Sequence, residues 1–189
     1  SLLLTMGLVG LIIIQPDLST SLTILVIWAA LLFASGLQTR HIVIFGILAL
    51  VLVAIAYPLM ADYQQQRIIN FLFTNEDARY GEEYNVIQAL ITIGSGGWLG
   101  QGYGQGTQVQ FRFLKVRHSD FIYSAIAEEF GFVGTMILMA ALFFIVYRIL
   151  RIAKNARDTY GALICYGVAT FIAFQTIVNI GMNLKLLPV

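Results

Sequence analysis

The sequence predicts an all-α polytopic membrane protein: a transmembrane helix bundle with one long extracytoplasmic loop containing short interfacial or re-entrant helices. Three observations support this fold class. Of the 189 residues, 59% are hydrophobic, and the mean hydropathy is +0.82. Only 11% are charged, whereas soluble domains carry about 25% charged residues. The apolar residues form long runs separated by polar joints, as in membrane-spanning helices.

Charge and cysteine content argue against several other classes. The formal net charge of +1 gives no reason to expect a nucleic-acid partner. The chain has one cysteine, Cys165, so it cannot form an internal disulfide, and no zinc-binding spacing occurs. Cys165 lies in an apolar run, where packing is its expected role. Both chain ends fall in apolar stretches without a signal-peptide pattern. We therefore expect one transmembrane domain, 1–189, that is a fragment of a longer protein.

The apolar runs predict helical membrane segments at about 2–14, 21–37, 42–60, 120–147 and 160–182. The first is too short to span alone, since a span needs about 20 residues. Pro16 ends it, because proline disfavours helix in the residue before it. Asp17, Ser19 and Thr20 can cap the second segment.

The loop from about 61 to 119 is not uniformly polar. Residues 67–72 predict a short interfacial helix, and 86–93 predict a helix that re-enters the membrane or lies on its surface. Frequent glycines from Gly94 to Gly106 allow tight turns and close approach of the backbone to a ligand.

Basic residues predict the orientation of the segments. The joint at 148–157 carries four bases, which places it in the cytoplasm by the positive-inside rule. Counting the spans from this joint places three parts of the chain on the outer side of the membrane, namely 15–20, 61–119 and 179–189.

Asp120 is the candidate catalytic residue. It lies where the outer loop becomes a membrane helix, and a carboxylate there is costly and marks a functional site. Ser124, Ala127 and Gly131 share its helix face, where small side chains would leave room for a substrate. A second interpretation is that Ser119 and Asp120 only cap the helix. The two interpretations are compatible.

Other polar residues near Asp120 also have two interpretations. Glu128 and Glu129 lie roughly 12 to 14 Å farther along the helix, so we expect a buried pair satisfied by hydrogen bonds or arginines rather than a shared reacting centre. The basic cluster of Arg112, Lys115 and Arg117 would bind phosphates or anionic lipid headgroups. We expect His118 to be a hydrogen-bonding neighbour rather than a catalyst.

Six short motifs occur in one order along nearly the whole chain. They are Gln15-Pro16-Asp17-Leu18 with Thr20, Asp62-Tyr63-Gln64 with Arg67, Tyr84-Asn85 and Gln88 before Ile93-Gly94-Ser95-Gly96-Gly97, His118-Ser119-Asp120-Phe121 before Ala127-Glu128-Glu129, Asn179-Ile180-Gly181-Met182, and Leu186-Leu187-Pro188-Val189. In these motifs the chain resembles the SEDS family (shape, elongation, division and sporulation), whose known branches are RodA and FtsW. Gly106-Thr107-Gln108 and the Ile-Gly-Ser-Gly-Gly motif are similar to the RodA branch.

The sequence departs from the family pattern at three places. Ser19 stands where the family usually has glycine, and Ser119 stands where it has threonine. Lys115 and Val116 stand where the family usually has Pro-Glu, which removes one possible polar partner of the site. The family pattern extends beyond both ends of this chain, so the resemblance implies roughly the C-terminal half, which need not be active alone.

The resemblance implies a peptidoglycan glycosyltransferase that polymerises lipid II during cell-wall elongation, with Asp120 on the family's essential aspartate. The substrate-binding candidates are Arg67, Arg112, Lys115, Arg117, His118, Ser119 and Ser124, and the supporting candidates are Gln15, Asp17, Glu128, Glu129 and Asn179. The implied partners are lipid II, a class B penicillin-binding protein and membrane lipids. The resemblance fixes no cofactor. A divalent cation, instead of the basic residues, would stabilise the negative charge of the leaving pyrophosphate. The implied location is the bacterial cytoplasmic membrane, with the catalytic face extracytoplasmic.

Two other functions remain open at this point. A transporter of a lipid-linked cell-wall precursor would also use polar groups in its spans and a glycine-rich broken segment. A non-catalytic scaffold would explain the spans, but not costly carboxylates within them. If the protein is the glycosyltransferase, we expect a membrane-level groove with Asp120 and Ser124 on its floor and residues 112–117 on its rim.

Overall fold

The computed structural model describes residues 2–14, 18–38, 40, 44, 46–47, 65, 82–110 and 120–187. Within these ranges every regular element is a helix, and no strand occurs. The helices are α1 (Leu2–Ile14), α2 (Leu18–Ala34), α3 (Glu82–Gly96), α4 (Thr107–Gln110), α5 (Ile122–Lys154) and α6 (Thr159–Asn183). The predicted all-α class is confirmed.

Helices α1 and α6 match their predicted bounds closely, but α2 begins three residues earlier than expected. Ser19 and Thr20 therefore lie inside its first turn rather than before it, and the Ser19 carbonyl accepts a hydrogen bond from Thr23 Oγ1 (2.9 Å). The helix ends where Gly36 adopts a φ of +94°, a value that glycine tolerates best. The predicted helices at 42–60 and 67–72 lie outside the described residues, apart from isolated helical positions.

The chain divides into two compact units, the first within Ser1–Ala56 and Phe143–Gln175 and the second within Tyr57–Leu142 and Thr176–Val189. In the first unit α1 packs against α2, and Gln175 Nε2 on α6 donates to Thr23 Oγ1 on α2 (3.3 Å). The second unit contains α3, α4, the start of α5 and the end of α6. Its apolar core includes Val86, Ala89 and Phe121.

Two of the described helices, α5 and α6, are long and apolar enough to cross a membrane. They contain 33 and 25 residues, whereas a span needs about 20. Many of their large apolar side chains face outward, including Phe143 (72% exposed) and Ile177 (64% exposed). Such extensive exposure would be unfavourable in water but suits a lipid environment.

Helix α5 differs from its prediction in two ways. It continues to Lys154 instead of ending near Tyr147, so Arg148 and Arg151 lie on its last turns. It is also interrupted at Gly131, whose φ of 66° and ψ of −167° are not helical. This interruption determines how the glycine-rich part of the loop packs.

Candidate active site

Asp120 lies just before the start of α5 and is exposed. Within the described part of the chain, its carboxylate has no hydrogen-bond or ion-pair partner. Its backbone carbonyl, in contrast, accepts hydrogen bonds from Asn183 Nδ2 (2.7 Å) and Asn179 Nδ2 (3.4 Å). The backbone at Asp120 is therefore held in place while its carboxylate stays available to a ligand.

Asn183 forms the link between the two long helices at this site. It is completely buried, and its Oδ1 accepts hydrogen bonds from Ser124 N (3.0 Å) and Ser124 Oγ (2.5 Å). Its Nδ2 also donates to Asn179 O (2.8 Å). The Ser124 N–H belongs to the first turn of α5, where it has no partner within the helix.

The cap of α5 thus comes from another helix rather than from Asp120. A residue that caps its own helix accepts a hydrogen bond from a first-turn N–H, and the Asp120 carboxylate makes no such bond to the described residues. Asn183 provides the acceptor instead. A hydrogen-bonded cap by the Asp120 carboxylate is therefore not found among the described residues. Ser119, the other residue of the capping interpretation, lies outside them, so its part stays a prediction.

The chain turns back on itself directly after Asn183, at the end of α6. After the helix, Lys185 adopts a φ of 57°, and Leu186 N donates back to the Gly181 carbonyl (2.7 Å). Leu187 then packs on Gly181, where an added Cβ would lie 2.7 Å from Leu187 Cδ1. The Asn179–Met182 motif and the residues that follow it therefore pack on each other, which gives a physical reason for their residue types.

Asn183 was not among the residues predicted from the sequence. The signal was present, since Asn179 and Asn183 are one helical turn apart in an otherwise apolar segment. Polar side chains in such a segment require partners. The partner, Ser124, lies 59 residues earlier in the chain, so the pairing itself was not readable from local pattern.

The small residues on the Asp120 face of α5 do not leave the expected space. Ser124 is completely buried by its contact with Asn183. A Cβ on Gly96 would collide with the Ala127 carbonyl oxygen. The space beside the small side chains is occupied by Asn183 and Gly96 of the protein itself rather than left for a substrate. Ser124 supports the backbone beside Asp120. Contact between Ser124 and a substrate stays a prediction, and the complete burial of Ser124 argues against it.

The glycine-rich loop enters the interruption of α5 at Gly131. The break releases the carbonyls of Glu128 and Glu129 from the helix ladder, and they accept from Gln101 N (2.9 Å) and Gly102 N (3.0 Å). A backbone carbonyl left unpaired in a membrane helix would be costly. The loop thus satisfies the carbonyls on the N-terminal side of the break.

The same loop also satisfies the donors that follow the break. Phe132 N donates to the Gly97 carbonyl (2.9 Å), and Val133 N donates to the Trp98 carbonyl (3.1 Å). The backbones approach so closely that a Cβ on Gly100 would meet the Glu129 carbonyl. Gly97 and Gly100 also have φ values of +53° and +82°. The predicted tight turns are confirmed, and here the close approach is to the protein's own helix.

Glu128 anchors the other end of this loop. It is completely buried, and its Oε1 accepts from Gln108 N at the start of α4 (2.8 Å). The hydroxyls of Ser95 and Thr107 are 3.4 and 3.5 Å from the same oxygen. A Cβ on Gly106 would lie 2.5 Å from Glu128 Oε2. The expected burial with hydrogen bonds is therefore found at Glu128.

The second acid of the predicted pair behaves differently. Glu129 is only partly buried, because adjacent helix residues point about 100° apart. Glu129 contacts the loop through its backbone carbonyl, which accepts from Gly102 N. Its carboxylate makes no hydrogen bond to the described residues. The predicted pair thus consists of one buried anchor and one partly exposed acid.

The remaining predicted site residues lie outside the described residues, and their roles stay predictions. They are Gln15, Asp17, Arg67, Arg112, Lys115, Arg117, His118 and Ser119. The rim of the expected groove is among them. Across the described ranges, no group of three or more His, Cys, Asp or Glu residues could hold a metal ion, so the structure assigns no site to the divalent cation.

Comparisons with known proteins agree with the motif analysis. All residues from 1 to 189 match the family model for FtsW, RodA and SpoVE, described as cell cycle proteins. The chain is 42% identical over 183 residues to a protein of Francisella salina named "Probable peptidoglycan glycosyltransferase FtsW", covering 94% of this chain and 44% of the relative. It is also 42% identical over 184 residues to peptidoglycan glycosyltransferase MrdB of Escherichia coli (strain K12), covering 95% and 48%.

A solved structure supports the same fold. It is described as showing structural coordination of polymerization and crosslinking by a peptidoglycan synthase complex. One of its chains matches with a TM-score of 0.79 and 30% identity, covering 99% of this chain and 51% of that one. The chain described here spans about half the length of the relatives it matches.

Proposed function

The chain belongs to the FtsW, RodA and SpoVE family of cell cycle proteins, and on this premise we propose that the protein polymerises lipid II into peptidoglycan glycan strands. The relatives named above are peptidoglycan glycosyltransferases by name. The observation that carries the proposal is the exposed Asp120 carboxylate, which has no partner among the described residues while its backbone is fixed by Asn183.

The reaction needs a base at the attacking hydroxyl. The 4-hydroxyl oxygen of one sugar forms a bond to the anomeric carbon of another, and the bond from that carbon to the pyrophosphate oxygen breaks. The polyprenyl pyrophosphate leaves with the electron pair, and the hydroxyl proton passes to Asp120. A positioned general base of this kind contributes about 10² to 10⁴-fold to such a rate.

The leaving pyrophosphate requires positive charge. We assign this role to the basic residues Arg67, Arg112, Lys115 and Arg117, or to a divalent cation, because preorganised positive groups stabilise developing negative charge. His118 and Ser119 are placed beside Asp120 by sequence and would orient the sugar. The chain's own contribution in the described region is rigidity, since Asn183 fixes the backbone of the base.

We also propose a setting for the reaction. The protein would act at the extracytoplasmic face of the bacterial cytoplasmic membrane, with a class B penicillin-binding protein that cross-links the new strands. A related chain occurs in a complex described as coordinating polymerization and crosslinking, which supports such a partner. Gly106-Thr107-Gln108 favours the RodA branch and hence cell elongation.

A transporter of a lipid-linked precursor is the second candidate. The interruption of α5 at Gly131 favours it, because broken membrane helices often form transport sites. In this chain, however, the backbone groups on both sides of the break bond to the glycine-rich loop. The break is thus filled by protein, which favours a structural role.

Reconstituted liposomes distinguish the two functions. The full-length protein with its penicillin-binding partner would be supplied with labelled lipid II, and both glycan polymer and transbilayer movement would be measured. We expect polymer that is digested by a muramidase. Movement of lipid II without any polymer would contradict the proposal and favour the transporter.

A further inference from the structure

The turn between α5 and α6 contains a cleft that plays no part in the candidate active site. It has a volume of about 660 Å³ and is lined chiefly by Arg148, Arg151, Ile152, Asn155, Arg157 and Asp158. All these residues belong to the first compact unit. The cleft is open rather than enclosed, which suits a charged group held at the protein surface.

The cleft carries three guanidinium groups whose charge is not neutralised by the described residues. Arg148, Arg151 and Arg157 are exposed, and within the described ranges none of them forms an ion pair. Asp158 also lines the cleft, where its Oδ2 accepts from Gly161 N in the first turn of α6 (2.7 Å), and its single negative charge offsets only part of the charge of the three arginines. The cleft is therefore a concave site of net positive charge.

The position of the cleft along the helices indicates its surroundings. Above it, α5 and α6 expose apolar side chains as membrane-crossing helices do. Tyr147 is 50% exposed and Tyr160 is 76% exposed, one on each helix beside the turn. Tyrosines are enriched at the level of the lipid headgroups. One wall of the cleft, Ile152, is apolar and 57% exposed.

We propose that this cleft binds the headgroup phosphate of an anionic phospholipid from the adjoining leaflet. Arginine guanidinium groups match phosphate oxygens with paired donors. Asn155 supplies a neutral donor and acceptor for a headgroup hydroxyl, and Ile152 adjoins the first acyl carbons. A phospholipid fits better than a soluble phosphate because the site combines positive charge with an apolar wall at headgroup depth.

The chain provides a matched control for this proposal. Lys154 is exposed on the same final turns of α5, but it does not line the cleft. Removing its charge therefore changes the general surface potential as much as removing Arg151, without removing a cleft donor. A diffuse attraction to lipid predicts equal effects, and a defined site predicts unequal ones.

The test uses native mass spectrometry of the full-length protein released from nanodiscs that contain phosphatidylglycerol and phosphatidylcholine. We expect Arg151→Gln to lower retained phosphatidylglycerol at least about tenfold, as for the loss of a charge-assisted hydrogen bond. Lys154→Gln should lower it less than about twofold. Phosphatidylcholine retention should stay unchanged in both variants.

Two results would overturn the proposal. Equal losses in Arg151→Gln and Lys154→Gln would show only general charge attraction. Displacement of the lipid by millimolar inorganic phosphate, with Arg151-dependent phosphate binding in detergent, would identify a site for soluble phosphate instead. Because the substituted side chains are exposed, unchanged thermal unfolding of both variants serves as the folding control.

Discussion

At the scale of single residues, the candidate site fixes the backbone of Asp120 and leaves its carboxylate without a partner among the described residues. The side-chain oxygen of Asn183 accepts from Ser124, and its side-chain nitrogen donates to the Asp120 carbonyl. Both bonds hold the start of α5. The Asp120 carboxylate takes no part in this support. A catalytic group benefits from such an arrangement, because a fixed backbone limits the positions that its carboxylate can occupy.

Substitution of Asn183 tests this support. Asn183→Ala leaves the Ser124 N–H without its acceptor and the Asp120 carbonyl with only its longer bond from Asn179. Losing the partner of a buried polar group costs about 1 to 3 kcal/mol. In the full-length enzyme we expect kcat for lipid II polymerisation to fall about 10- to 100-fold, corresponding to that energy. KM should change much less, since Asn183 is buried away from substrate.

Asn179→Ala is the comparison, because it removes the 3.4 Å contact with the Asp120 carbonyl and a 3.5 Å contact with Asn183 Nδ2. It leaves the bonds from Asn183 to Ser124 and to the Asp120 carbonyl in place. Its kcat should fall less than about threefold, in line with a weak hydrogen bond. Equal kcat values for the two variants, or an Asn183→Ala defect confined to KM, would show that Asn183 does not position Asp120.

At the scale of elements, the main feature is the helix break that receives the glycine-rich loop. Four backbone hydrogen bonds join residues 97–102 to α5 on the two sides of Gly131, and Glu128 holds the following α4. The loop and the helix therefore form one structural element. Gly131 is required by its φ of 66° and ψ of −167°, a region essentially restricted to glycine.

Gly131→Ala should therefore destabilise the protein. The backbone conformation alone costs about 1 to 3 kcal/mol for a residue with a side chain, and the added Cβ would lie 2.7 Å from Leu99 backbone atoms. We expect a clear drop in the apparent unfolding temperature of the full-length protein in detergent. Gly167→Ala, whose Cβ would meet nothing closer than 3.7 Å, should leave it unchanged or slightly higher.

If Gly131→Ala and Gly167→Ala unfold at the same temperature, the interruption of α5 is not a feature of the folded protein. Glycine content as such cannot explain a difference between them, since both positions lie in long apolar helices. The comparison therefore isolates the break and its contact with the loop.

The sequence predicted the helices better than it predicted how they meet. Apolar runs located α1 and α6, because burial in lipid imposes length and composition on a span. The break in α5 was not predicted, since one glycine in an apolar run is also compatible with a straight helix. The glycine-rich loop that pairs with the break lies about 30 residues earlier in the chain. Hydrogen bonds between the two backbones impose no periodic pattern on the side chains, so the sequence carries no sign of them.

At the candidate site, the sequence predicted the burial of Glu128 but not the groups that surround Glu128 and Asp120. The catalytic role of Asp120 stays a prediction. The small residues after Asp120 suggested space for a ligand, whereas Asn183 and Gly96 occupy that face. Small side chains permit close approach of any group, protein or ligand. Pattern alone could not decide which.

At the scale of the whole molecule, the chain joins a polar, hydrogen-bonded site to long helices that suit a membrane. α5 and α6 expose apolar side chains along most of their length, while Asp120 at the start of α5 remains accessible. The chain covers about half of its relatives, so function is tested in the full-length protein.

The most direct measurement is the rate of lipid II polymerisation by the full-length protein, with its penicillin-binding partner, after Asp120→Asn. We expect a loss of at least about 100-fold, as for removal of a general base, with an unchanged unfolding temperature because the carboxylate contacts none of the described residues. Asp120→Glu, which keeps a displaced carboxylate, should retain measurable activity. Wild-type glycan yield from a folded Asp120→Asn protein would contradict the assignment of Asp120 as the base.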